Sequence, residues 1–186
     1  MNVLAVVGGL AGLGILAALV RRPALVGLAT AGIGVAGVVT GVAALRGRTF
    51  DADLPALLPL AGVEVAVDPL GGWFLAITGA VVAVSAMYGI GYAGHGPGQD
   101  AGKSNGRGVL AALPVFATSM LLVPAAASAS TLLVLWELMA LASLVLVLAE
   151  HRQRPAVAEA GGWYAALTHV GFVAILLAGA PVQPHR

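Results

Sequence analysis

Two ionisable side chains stand where the surrounding sequence is apolar. Glu137 follows Trp136 in TLLVLWELMALASLVLVLA, residues 131–149, and His169 sits in LTHVGFVAILLAG, residues 167–179. A charged group inside a bilayer costs a few kcal/mol or more. Removal from water disfavours the charged carboxylate unless a cation on another helix offsets the loss. No Arg or Lys lies within one turn of Glu137, so no local ion pair explains it. A group poised between its two protonation states is what a proton carrier needs, since it must load and unload at working pH. The bland alternative for Glu137 is a protonated acid hydrogen-bonded to a neighbouring helix; for His169 it is a packing residue.

Depth can be counted along the helices that must carry these groups. If the fifth helix runs inward from Thr131, Glu137 lies roughly 9 Å below its outer end. If the sixth starts near Gly161, His169 lies roughly 12 Å from its inner end. The two helices are consecutive and antiparallel, so the depths differ by under about 10 Å, one or two waters if the groups share a face. Ser143 and Thr168 could lend hydroxyls to such a relay, although such hydroxyls readily bond back to their own helix carbonyls. Glu150 and His151 close the fifth helix, with Arg152 and Arg154 just beyond. They read as interfacial anchors or, more sharply, as an entrance for protons from the inner side.

Other patterns carry less. GPGQDAGKS resembles a phosphate-binding loop, but the position five before Gly102 is Pro97 where the motif requires glycine. GGLAGLG, residues 8–14, lies in a spanning run and not at a strand–turn–helix junction, so it reads as helix packing. Gly8 with Gly12, and Gly37 with Gly41, have the small-residue spacing that lets helices approach closely. The four histidines, His95, His151, His169 and His185, include no pair spaced as metal ligands on one helix face, and no nucleophile–base pair can be assembled. Neither a metal nor a cofactor is expected. The absence of cysteine excludes thiolate ligation and disulfides.

Composition sets the class. Of the 186 residues, 60% are hydrophobic and only 9% charged, against about 25% charged in soluble domains; the mean hydropathy is +0.99. The net charge of +1 gives no electrostatic case for nucleic-acid binding. The expected fold is an all-α integral membrane protein of about six transmembrane helices, at 3–20, 23–45, 69–92, 108–126, 130–149 and 161–180. Asp68-Pro69 supplies a cap and a first-turn proline for the third, and PAAASAS, 124–130, is a tight turn between the fourth and fifth. Val63–Asp68 alternates at the strand period, so a short strand or hairpin is expected in the acidic loop 46–68. Trp73, Trp136 and Trp163 stand near helix ends, where aromatic belts form. With the N-terminus outside, Arg21, Arg22, Lys103, Arg107, Arg152 and Arg154 fall inside, and Arg46, Arg48 and Arg186 outside. That bias favours both termini outside, and the basic pair after the first run argues against a cleaved signal.

These residues also resemble a family. Asp68-Pro69-Leu70-Gly71-Gly72-Trp73-Phe74, with Tyr88, Gly91 and Tyr92, is similar to the third helix of the proton-channel subunits of respiratory complex I. Ser119–Leu122 and Leu135–Ser143 continue the likeness, and Thr168-His169-Val170-Gly171 resembles the hydrogenase-4 component B, or formate hydrogenlyase subunit 3, branch. The resemblance divides the chain into 1–67, two helices and an extracytoplasmic loop; 68–180, the start of an antiporter-like proton-channel domain of four helices; and a tail, 181–186. It implies a multi-pass subunit of the cell (inner) membrane that moves protons while membrane and peripheral partner subunits of a hydrogenase or a complex I-like assembly do redox chemistry. It also implies that Glu137 pairs with a lysine on a seventh helix. Family members have about fourteen helices with inverted repeats. The stretch here matches only their N-terminal part, so the lysine is expected on a further segment or a second polypeptide.

Overall fold

In lipid every backbone amide must be satisfied within its own segment or by a neighbouring one, which leaves helices as the form for these apolar runs. The computed structural model describes residues 3–19, 22–54, 63–95, 107–148 and 155–178. Its elements are α1 (Val3–Leu19), α2 (Pro23–Leu45), β1 (Phe50–Leu54), β2 (Val63–Val67), α3 (Pro69–His95), α4 (Arg107–Leu122), a 3-10 turn (Val123–Ala125), α5 (Ala129–Val147) and α6 (Pro155–Ala178). Five of the helical segments, α2, α3, α4 with its 3-10 turn, α5 and α6, are long and apolar enough to cross a bilayer. The described part of the first helix has 17 residues, at the lower limit of the roughly 17–25 that a span needs. The protein is a multi-pass, mostly helical membrane protein.

The centre of the bundle is α2, half of whose length is buried by α1, α3 and α4. Ile33 of α2 is fully buried among Val7 of α1, Leu75 and Val82 of α3, and Ala117 and Leu121 of α4. The α2–α3 seam is closest. A Cβ added to Gly79 would lie 2.5 Å from the Gly34 carbonyl and 2.7 Å from the Val38 amide. Gly37 and Gly41 also sit in this seam, as their spacing suggests, but a Cβ added to Gly8 or Gly12 would meet nothing within 4 Å. Periodicity identifies a smooth stripe on α1 without saying whether a neighbour covers it.

The acidic loop folds as an antiparallel hairpin in which Phe50 faces Val67 and Leu54 faces Val63. The sequence pattern marks only β2; β1, Phe-Asp-Ala-Asp-Leu, alternates equally well but hides its apolar positions between aspartates. Val65 and Val67 point into the core, whereas Asp51 and Glu64 are exposed. Asp68 then starts α3 as its sequence suggests: its Oδ1 accepts the Gly71 amide at 2.6 Å. Asp68→Ala should cost about 1 kcal/mol, read as a lowered unfolding midpoint in detergent with the helix content of the folded state unchanged.

Helix ends differ from expectation in two places. The fourth helix stops at Leu122, because Pro124 has no amide to continue it. The sixth begins at Pro155 and not near Gly161; proline is favoured in a first turn, and the polar Glu159 disguises this turn as loop. The turn before α5 is pinned by the hairpin. Ser128 caps α5 by accepting from the Thr131 amide, and the fully buried Thr131 hydroxyl accepts the Glu64 amide at 2.9 Å. The Ala127 amide donates to the Glu64 carbonyl at 3.0 Å. Thr131→Val leaves that Glu64 amide unsatisfied and should cost about 1–3 kcal/mol, measured by denaturant titration against a Ser130→Ala control.

Candidate functional site

Outside the bundle centre, α5 lies on α4, and α6 lies on α5. Gly161 lets α6 approach, since any Cβ there would strike Leu148. Taking that contact as a common level, Glu137 lies roughly 16 Å above it on α5, and His169 roughly 12 Å above it on α6. The depths differ by less than the reach of the two side chains. They meet without an intervening water: His169 Nε2 is 3.1 Å from Glu137 Oε1.

The other ring nitrogen decides how protons are arranged. His169 Nδ1 lies 2.8 Å from the Ala165 carbonyl. A carbonyl only accepts, so Nδ1 carries a hydrogen. The contact to Glu137 then holds one proton, either on Nε2 facing a carboxylate or on Oε1 facing a neutral ring. With none, two lone pairs would face each other in a medium that screens poorly. The pair is therefore neutral overall in both arrangements, which is how an ionisable couple can reside among apolar helices. Its second oxygen, Oε2, is buried and has no hydrogen-bond partner among the described residues. A carboxylate oxygen in that state can accept from a donor that the described residues do not supply.

The other expected relay residues separate into different roles. Ser143 donates to the Ala140 carbonyl at 2.9 Å and also meets the Tyr164 hydroxyl across the seam. Among the described residues Thr168 bonds only backward, to the Tyr164 and Ala165 carbonyls at 2.9 and 3.1 Å, and does not join the Glu137 couple. Tyr164 does not stand out in the sequence, where an aromatic beside Trp163 reads as an interface residue. No spacing in the sequence points to it, since five residues before His169 is not the same helix face. Ser143–Tyr164 and Glu137–His169 are thus two polar crossings of one apolar seam, roughly 9 Å apart along α5. Glu150 and His151 lie outside the described residues, as does the phosphate-loop-like stretch around Pro97 and Lys103. Among the described residues no three His, Cys, Asp or Glu side chains gather as metal ligands.

The outward side of the site is bare. His169 is 50% exposed and Glu137 25%, and Trp163, Leu167 and Val170 of α6 are all exposed. For apolar spanning residues, exposure means contact with lipid or with another helix.

No family model matches the chain. An uncharacterized protein of Mycobacterium tuberculosis, found in two strains, is 48% identical to it over 155 residues, which is 83% of this chain. The chain spans only 23% of the length of those relatives.

Proposed function

We propose that this chain is the N-terminal part of a proton-translocating, antiporter-like membrane subunit, of the group that includes complex I channel subunits, hydrogenase-4 component B and formate hydrogenlyase subunit 3. In this reading Glu137 and His169 exchange a proton within the bilayer of the cell (inner) membrane, and partner subunits of a hydrogenase or complex I-like assembly carry out the redox chemistry. One observation supports it most: Glu137 and His169 meet at 3.1 Å between spanning helices, with Oε2 of Glu137 buried and unpartnered among the described residues. Moving the shared proton from Oε1 to Nε2 creates an ion pair from a neutral pair, and a donor at Oε2 would drive that shift. The missing donor is the role that the family resemblance gives to a lysine on a further helix. Relatives of which the matched stretch is only 23% leave room for such a helix.

A second reading is a membrane anchor that docks partners and transports nothing. The exposed apolar face of α6 favours it. The two separate on the assembled complex in sealed vesicles carrying Glu137→Gln. Transport predicts that electron transfer continues without acidification. Anchoring predicts that both persist, and that outcome sinks the proton reading.

A further inference from the structure

The first turns of α2, α3 from Val81 to Ile90 and α4 from Leu110 to Met120 line an open-sided cavity of about 590 Å³. Its lining is apolar, including Pro23, Gly27, Gly89 and Leu110, with Thr30 and Ser85 the polar exceptions. The Thr30 hydroxyl is already committed to the Val26 carbonyl at 2.8 Å. Water needs polar partners to stay in such a space. A flexible hydrocarbon chain suits it.

Lipid tails are as apolar as leucine, so apolar walls cannot choose among lipids. Selection falls to the headgroup. Arg22 directly precedes Pro23, a lining residue in the first turn of α2, and is exposed. No acidic side chain pairs with it among the described residues. Basic groups at the membrane surface beside interhelical pockets recruit anionic headgroups.

We infer that this cavity and Arg22 form a site for an anionic phospholipid, with one acyl chain between α2, α3 and α4 and the phosphate against the Arg22 guanidinium. The site is separate from Glu137 and His169 and does not depend on proton transfer.

Native mass spectrometry of the chain in detergent tests it with dioleoyl phosphatidylglycerol and dioleoyl phosphatidylcholine, which differ only in headgroup. Wild type should retain the glycerol lipid about fivefold better. Arg22→Gln should erase that preference and leave choline-lipid binding unchanged. Gly89→Phe places a ring in the cavity from a position where a Cβ meets nothing within 4 Å, and should weaken both lipids about tenfold. Leu110→Trp fills the same space from α4 and replaces it if circular dichroism shows that Gly89→Phe has lost helix. Equal retention of the two lipids by wild type, an undiminished preference in Arg22→Gln, or full binding by the folded cavity-filled variant each overturns the assignment.

Discussion

If the proposed transport function holds, Glu137→Gln should lower proton translocation by the assembled complex about a hundredfold, the scale expected when a positioned proton-transfer group is lost. Glutamine keeps the length and can still hydrogen-bond His169 Nε2, so assembly and helix packing should persist. What it cannot do is exchange a proton. His169→Gln should cost less, about tenfold, because a water can take the place of the ring beside the acid. The double substitution should be no worse than Glu137→Gln alone, since the two groups share one proton and act as a unit. Acidification of sealed vesicles, normalised to electron transfer, reads all three. Strictly multiplicative losses would show that the residues act separately and that their 3.1 Å contact is incidental.

The largest structural effect is expected at Gly79. Its Cβ would meet the Gly34 carbonyl and the Val38 amide, backbone atoms that cannot swing aside as a side-chain terminus can. Gly79→Leu must therefore part α2 from α3, the most extensive helix contact in the fold. Overpacking of this kind costs about 3 kcal/mol or more, and in a marginally stable bundle that means loss of the folded state. Gly8→Leu, with nothing within 4 Å, should change stability by less than about 0.5 kcal/mol. Unfolding titrations in mixed micelles compare the two. Equal effects would show that the α2–α3 approach is not as close as described.

Much of the architecture is written in run length. Helix positions follow from apolar stretches because the bilayer leaves backbone amides few alternatives. Boundaries are less visible where a first turn is polar, as at Pro155–Glu159, or where proline halts a run early, as at Pro124. The hairpin is half legible: Val63–Val67 announces itself, whereas Phe50–Leu54 does not. The tie from Thr131 to Glu64 spans 67 residues, and no local pattern encodes such a pairing. Glu137 and His169 are conspicuous because charge is rare in apolar runs. Their direct contact is not, since two helices of known depth still have unknown rotation. Thr168 looks equivalent to Ser143 in sequence, yet only Ser143 faces the neighbouring helix.

The sparse covering of α6 bears on how the chain enters the membrane. Among the candidate spans α6 is the least hydropathic, and only 6% of it is buried. Presented singly to the insertion machinery, it would carry His169 into oil with Nε2 unpaired, and α5 would carry Glu137 without a partner, at a few kcal/mol for each. Delivered together as a helical hairpin, each group satisfies the other as it leaves water. The Glu137–His169 contact thus ties the biogenesis of α6 to that of α5.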